Sequence, residues 1–233
     1  VTLLSLVIPC YNEAENIPAL LARCAQVFTN CSVEIILVNN GSTDHTQAIL
    51  EQLLPRYTFA QSVLVKVNQG YGFGILSGLK QAKGDYVGWT HADLQTDPAD
   101  VLMALGLIQE SKELLFLKGK RYGRSILDLF FTVGMSVWSS LLLKTRLWDI
   151  NAQPTIMPRS FFESWQEPPS DFSLDLYAYY LAKKEGFFVK RFPVFFGKRV
   201  AGEAHLNNLK AKIRYSIRTI KYSYLLRKKL LHE

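Results

Sequence analysis

Asp93 and Gln95 stand two residues apart, directly after the apolar run Tyr86-Val87-Gly88-Trp89-Thr90 and the pair His91-Ala92. A carboxylate at the end of a strand, with an oxygen donor two residues on, suits a divalent cation shared with a diphosphate. Mg²⁺ and Mn²⁺ prefer oxygen ligands and take few of them from protein. Such a cation would neutralise charge on a departing nucleoside diphosphate. An ordinary loop after a strand has the same wording, so the motif alone leaves both readings open. Asn39-Asn40-Gly41-Ser42-Thr43-Asp44 is common turn chemistry, yet Asn40 at a strand end could hydrogen-bond a nucleobase edge. Asn68-Gln69-Gly70-Tyr71-Gly72-Phe73-Gly74, taken alone, reads as a turn with close helix packing. It lacks the spacing of a dinucleotide fingerprint.

These polar clusters must be carried by something regular. Leu3–Ile8 is a short apolar run closed by Pro9, and Glu15–Phe28 repeats apolar residues at helical spacing. Glu34–Val38 reads as a second strand, and Thr46–Leu54 as a helix with Asp44 at its N-cap. Ser62–Val67, Gly74–Ala82 and Asp85–Thr90 continue as strand, helix, strand. This alternation predicts an α/β fold with a mainly parallel, doubly wound sheet, whose ligands sit at the carboxyl ends of the strands. The clusters at Tyr11-Asn12-Glu13, Asn40, Asn68 and Asp93 fall at those ends. Further on, Leu114–Lys118 and part of Phe187–Phe196 read as strands. Ile126–Leu143 reads as a buried or interfacial helix rather than a span, because Asp128, Gly134, Ser136, Ser139 and Ser140 interrupt it near the lower length limit for crossing a bilayer.

The 233 residues are 48% apolar and carry a net charge of +7, enough for one large domain with a core. The charge is uneven. Of 27 Lys+Arg and 20 Asp+Glu, 19 of each lie in residues 1–206 and cancel, which leaves eight basic residues and Glu233 in residues 207–233. A one-sign block points to an anionic surface. Within Leu206–Leu231, Ile213, Ile217, Ile220 and Tyr224 recur at helical spacing beside Lys210, Arg214, Arg218 and Lys221, which suits a helix lying among lipid headgroups. A helix packed on the domain with a solvated basic edge is the plainer alternative. No nucleic-acid motif accompanies the tyrosines, so nucleic acid is not expected. Three cysteines, Cys10, Cys24 and Cys31, form neither a disulfide framework nor a zinc pattern. They fit a reducing cytosol, and the opening residues read as a strand rather than a leader.

The pieces Pro9-Cys10-Tyr11-Asn12-Glu13, Val38-Asn39-Asn40-Gly41-Ser42-Thr43-Asp44, Asn68-x-Gly70-x-Gly72, Gly84-Asp85-Tyr86 and Ala92-Asp93-Leu94-Gln95, in this order, together resemble family 2 glycosyltransferases. The wording is most like the branch that holds dolichol-phosphate mannose synthase and polyprenyl-phosphate sugar transferases. Lys118-Gly119-Lys120-Arg121 and Arg199-Val200-Ala201-Gly202 resemble two later elements of that branch. The resemblance implies a Rossmann-like glycosyltransferase A-type fold over residues 1–206, with a nucleotide-binding half of about 1–110, an acceptor half of about 111–206, and an amphipathic helix in 207–233.

By the same resemblance, Pro9, Tyr11 and Glu13 line the nucleotide pocket and Asn40 meets the base. Ala92, Asp93 and Gln95 hold the diphosphate and an Mg²⁺ or Mn²⁺ ion, with His91 a further metal ligand. Arg121 and Arg124 bind an acceptor phosphate, and Arg199 and His205 close over the donor. The implied activity is inverting transfer of a sugar from a nucleoside-diphosphate sugar to a polyprenyl phosphate or another membrane-linked acceptor, at the cytoplasmic face of a membrane. A sugar hydroxyl as acceptor would instead call for a base, Asp175 or Asp171, although either could simply be a helix N-terminal carboxylate. A non-catalytic nucleotide-sugar-binding protein is the third reading. The family's paired aspartates are Asn39-Asn40 here, its first metal-motif aspartate is His91, and a lysine gives way to His205. Asp149-Ile150-Asn151-Ala152-Gln153-Pro154 also departs from the mannose synthase wording. Asn40 offers both donor and acceptor, so the sequence leaves the base open, and a distinct subgroup is expected.

Overall fold

The apolar run that opens the chain forms β1 (Leu4–Cys10), buried along nearly its whole length. A strand covered on both faces belongs in the middle of a parallel sheet, and that is where it lies. A computed structural model describes residues 2–111, 113–202 and 209–230. In chain order the elements are β1, α1 (Ile17–Phe28), β2 (Val33–Asn40), α2 (Thr46–Leu53), β3 (Ala60–Val65), α3 (Tyr71–Leu79), β4 (Tyr86–Trp89) and α4 (Asp100–Glu110). There follow β5 (Leu115–Tyr122), α5 (Ile126–Leu143), β6 (Thr155–Pro158), α6 (Arg159–Glu163), α7 (Leu174–Lys184), β7 (Phe188–Phe195) and α8 (Leu209–Leu230).

The strands form one sheet in the order β3-β2-β1-β4-β6-β5-β7. All neighbours are parallel except at β6, which runs against both β4 and β5. The expected mainly parallel α/β architecture is therefore borne out. Alternate residues feed two cores. Leu4, Leu6 and Ile8 meet Ile17, Leu20, Leu21 and Cys24 of α1 and Val101, Ala104 and Ile108 of α4 on one face. Val7, Ile36 and Val38 meet Ile75 and Leu79 of α3 and Leu174 and Ala178 of α7 on the other. Each fully buried aliphatic side chain contributes about 1.5–3 kcal/mol.

The reversal at β6 gathers the chemistry on one rim. β2, β1, β4, β5 and β7 all end there, and because β6 is antiparallel it begins there, with Thr155 paired to both Trp89 and Lys118. Along that rim stand, in turn, Asn40 after β2, Tyr11 and Glu13 after β1, His91–Gln95 after β4, Gln153 before β6, and Arg121 at the end of β5.

Most boundaries shift by a few residues from the sequence reading, and two helix starts show a local cause. α3 starts at Tyr71 rather than Gly74, because the Phe73 amide donates to Ser170 O at 2.8 Å, a partner nearly a hundred residues away. Asp44 is not the N-cap of α2, a position that His45 holds, but its Oδ1 still accepts from the Thr46 amide at 2.9 Å.

α5 is capped by Ser125, whose hydroxyl accepts from the Asp128 amide, and stops at Lys144 in the left-handed region at φ 51°. It packs against α8, with Ser139 and Ser223 hydroxyls 3.3 Å apart in the seam. It is not a core helix, since Ile126 is 87% and Phe130 and Leu141 are each 72% exposed. Among the described residues it is the one helix long and apolar enough, by length and composition alone, to cross a membrane.

Candidate active site

A cavity of about 560 Å³ opens at the rim, and the expected site residues converge on it. Pro9, Tyr11, Glu13, Asn40, His91, Ala92, Asp93, Gln95, Arg121, Arg124, Asp175 and Arg199 all line it. His205 lies outside the described residues. α5 and α8 complete the wall, α5 with Phe131, Thr132, Met135 and Ser136, and α8 with Tyr215 and Ser216.

At the end beside β2, Asn40 is 3% exposed. Its Nδ2 donates to Gly70 O at 3.0 Å, and its Oδ1 has no hydrogen-bond partner among the described residues. Gly74 makes this possible, because a Cβ there would stand 3.0 Å from the Asn40 amide. Gly72 lets Pro169 and Asp171 carbonyls approach to within 2.7 Å of where its Cβ would be. The glycine run thus serves close packing, as its wording alone indicated.

At the end beside β4, the segment Phe196–Gly202 lies over the His91–Gln95 loop. Gly197 N donates to Gln95 O at 2.7 Å, and Gln95 Nε2 donates to Gly197 O at 3.2 Å. This strap delivers Arg199, whose Nη2 reaches Glu13 at 2.8 Å and whose Nη1 reaches Asp93 Oδ2 at 3.1 Å. Asp93 Oδ1 accepts from the Gln95 amide at 3.1 Å. Burial pushes the His91 imidazole pKa down, against the pull of Asp93 and Asp175, which favours the neutral, ligating form. Among the described residues no three of His, Cys, Asp and Glu cluster as a self-sufficient metal cage. One carboxylate beside an amide and an imidazole does fit Mg²⁺ or Mn²⁺ held jointly with phosphate oxygens.

At the opposite end, Asp149 organises the arginines. Its carboxylate accepts from Arg121 Nε at 3.0 Å, from Arg121 Nη2 and from the Arg121 amide, with Arg124 at 3.6 Å and Arg191 at 3.7 Å. Burial alone would raise this carboxyl, but Arg121 and Arg191 together hold it below the ordinary carboxylate range. Arg121 and Arg124 share the Phe196 ring, 5.3 and 5.7 Å from its centroid. Arg191 is spent on main-chain carbonyls, so Arg121 and Arg124 are the guanidinium groups of this cluster that line the cavity, beside Asp128, and such forks suit a phosphate. Asp175, 2% exposed, accepts from Trp89 Nε1 at 3.2 Å and faces Lys118 Nζ at 3.6 Å. Burial pushes the Asp175 carboxyl up and the Lys118 ammonium down to about 8.

Sequence reasoning gave no role to Asp149, Arg191 or Lys118, although two of them sit inside quoted motifs. Asp149 came only as part of a departure from the family wording. Its backbone, at φ 46°, lies in a left-handed conformation that no local signal announces.

Residues 5–151 match Glycosyl transferase family 2, and the chain belongs to that family. It is 36% identical over 115 residues to undecaprenyl-phosphate 4-deoxy-4-formamido-L-arabinose transferase of Pseudomonas savastanoi pv. phaseolicola, which covers 48% of this chain and 34% of that one. The Aeromonas hydrophila protein of the same name is 38% identical over 106 residues, covering 43% and 32%. The chain therefore matches about a third of the length of these relatives. Glucosyl-3-phosphoglycerate synthase of Mycobacterium tuberculosis, solved with Mn²⁺, UDP and glucosyl-3-phosphoglycerate, superposes with a TM-score of 0.72 at 19% identity, over 95% of this chain and 80% of that one. At that identity the likeness shows the fold.

Proposed function

We propose that this chain transfers a sugar from a nucleoside-diphosphate sugar to a polyprenyl phosphate at the cytoplasmic face of a membrane. The observation that carries the reading is one cavity with a carboxylate loop at one end and an arginine cluster at the other, Asp93 with Gln95 facing Arg121 with Arg124. The relatives' names, which couple undecaprenyl phosphate to a sugar, support the acceptor. Structural neighbours solved with Mn²⁺ or Mg²⁺ and UDP support the donor and the metal.

In this reading Tyr11, Glu13 and Asn40 seat the nucleoside, and Asn40 Oδ1 accepts from a base N–H. One of the two Asn40 Nδ2 protons goes to Gly70 O, and Oδ1 can take the ring N–H of uracil or guanine or the amino N–H of cytosine; the UDP of the structural neighbours favours uracil. Asp93 would hold the divalent cation, with His91 and Gln95 beside it, and the cation would supply charge neutralisation for the departing diphosphate. Arg199 would exchange its carboxylate partners for diphosphate oxygens, and His205, which lies outside the described residues, would join it. Arg121 and Arg124 orient the acceptor phosphate. Its oxygen attacks the anomeric carbon as the bond to the diphosphate breaks, with inversion. An ionised phosphate needs no general base, so positioning and electrostatics do the chemistry. The Asp175 carboxylate is already held by Lys118 and Trp89, which weighs against a hydroxyl acceptor that would need it as base.

Calorimetric titration with UDP, GDP and CDP, with and without Mn²⁺, tests the donor half. UDP is expected to bind with metal, more tightly than GDP or CDP, and Asp93→Ala to lose roughly ten- to a hundredfold in affinity, the scale typical of losing a group that supports a metal site. Binding of none of the three, or equal binding by Asp93→Ala, would sink the reading.

The outer faces of α5 and α8 support the membrane. Ile213, Ile217, Tyr224 and Leu225 of α8 are exposed beside Arg214, Arg218 and Lys221, next to the exposed Phe130 and Leu141 of α5. Each basic residue near an anionic surface contributes about 1 kcal/mol. Arg218→Ser is therefore expected to weaken flotation with phosphatidylglycerol vesicles about fivefold at low salt, the ratio that 1 kcal/mol gives. Unchanged flotation would remove α8 from the docking surface.

A further inference from the structure

Asp149–Pro154 departs from the family wording, and the fold places its Gln153 side chain at a telling position. On the rim, Gln153 stands between the diphosphate loop after β4 and the arginines at the end of β5. Under the proposed function, the sugar being transferred must lie between those two ends. Gln153 is 1% exposed, lines the cavity, and its Oε1 has no hydrogen-bond partner among the described residues. Its Nε2 donates to the Tyr71 hydroxyl. That hydroxyl lies in the field of the buried Asp175 carboxylate, which draws its one proton and leaves its oxygen to accept from the amide. Tyr71 thereby sets which way the amide points and leaves Oε1 as the open acceptor.

The segment that carries Gln153 is held rigidly. Lys118 Nζ donates to Ala152 O at 2.8 Å and to Thr155 Oγ1 at 2.9 Å, on either side of Gln153. Ala152 N donates to Asp149 O, and Gly119 N to Pro154 O, each at 3.0 Å. Beneath the site, Tyr71 stacks on Phe172 with centroids 4.5 Å apart. A rigid, buried polar atom beside an apolar platform is the arrangement that reads one group on a ligand, because a ligand lacking that group leaves the atom unpaired.

We infer that Gln153 is a sugar-specificity residue, whose Oε1 accepts from a hydroxyl or amide N–H on the ring of the transferred sugar. The inference rests on the donor reading given above and names what that donor must carry. A sugar whose matching position bears only hydrogen, or a group with no proton to donate, is rejected.

The experiment compares UDP and GDP with UDP-glucose, UDP-galactose, UDP-xylose, UDP-glucuronate and GDP-mannose, by calorimetry with Mn²⁺. The wild type is expected to bind at least one sugar nucleotide more tightly than its parent diphosphate. Gln153→Met, which keeps the volume and removes the acceptor, is expected to lose tenfold or more on that sugar nucleotide while holding the parent diphosphate within twofold. Retained diphosphate binding also certifies that the variant is folded. Should Gln153→Met lose the diphosphate as well, the wild type is read instead against the 2-, 3-, 4- and 6-deoxy forms of the favoured sugar nucleotide. One of these is then expected to fall tenfold or more. The inference is overturned if no sugar nucleotide gains on its diphosphate, if the gain survives in Gln153→Met, or if all the deoxy forms bind alike. Failure of UDP and GDP to bind the wild type would overturn the donor reading itself, and this inference with it.

Discussion

Asp149→Ala is expected to unfold at a markedly lower urea concentration than the wild type. The carboxylate is 3% exposed and is the shared counter-charge of Arg121, Arg124 and Arg191. Removing one member of a buried ionic cluster strands the others without solvent, at a cost of about 3–5 kcal/mol. That is a large fraction of the ordinary stability of a domain. The loss should also scatter Arg121 and Arg124, because Asp149 fixes the Arg121 fork through both its side chain and its backbone amide. Capture of the acceptor phosphate is expected to fall with it. The pH dependence supplies a second check. The Asp149 carboxyl lies below its unfolded value of about 3.9, since the arginines outweigh the burial that would raise it. The unfolded chain therefore takes up this proton first as acid is added. The contribution is complete above about pH 4 and is lost as the pH falls through the lower folded value. Asp149→Asn should show a flatter stability profile in that acid range. A midpoint and an acid profile matching the wild type would contradict the role drawn here.

Lys118→Ala carries the second large effect. Lys118 is fully buried, 3.6 Å from Asp175, and donates to Ala152 O and Thr155 Oγ1. Truncation leaves the Asp175 carboxylate in the interior without its nearest cation, held by the Trp89 N–H, and is expected to cost about 3–5 kcal/mol. The double variant Lys118→Met, Asp175→Leu removes both charges and should recover the part owed to the uncompensated carboxylate. It should retain a deficit of about 1–3 kcal/mol from the Trp89 N–H, which loses its acceptor, and from the two lost Lys118 donations. Chemical denaturation of the single and double variants measures both terms. If the double variant is as unstable as Lys118→Ala, the ion pair is not what holds this region. A recovered fold that binds UDP but transfers no sugar would assign the pair's remaining importance to the cavity it borders.

The alternation of apolar runs with helical repeats announced the parallel sheet, because a strand such as Leu4–Cys10, apolar on both faces, has few other places to go. Strand ends then put Tyr11, Asn40 and Asp93 on one rim. What the sequence concealed is non-local. β6 is only four residues long, and its antiparallel pairing with β4 and β5 depends on partners that lie about seventy and forty residues away. Asp149 looks like any loop aspartate until β5, α5 and β7 bring Arg121, Arg124 and Arg191 to it. Lys118 sits in a motif whose wording pointed at ligand binding, yet its ammonium is spent inside the protein. The basic tail read as an amphipathic stripe, and Ile213 and Ile217 are exposed as that reading needs, while Ile220 is half-buried. Nothing local indicated that the opposite face would offer Tyr215 to the cavity.

The seam between α5 and α8 has a consequence for how the helix pair behaves in different surroundings. Where Ser139 and Ser223 meet, with Thr219 buried one turn away, the contact is made by small side chains and hydroxyls, while Leu143 and Leu226 are buried in the core cluster. An aliphatic seam draws its strength from the water it excludes, and that drive vanishes once hydrocarbon replaces water outside. Close packing of small residues and hydrogen bonds between hydroxyls survive the exchange of solvent. The two helices can therefore hold one register whether their outer faces are wetted or immersed, and the wall they give to the cavity keeps its shape across that change of medium.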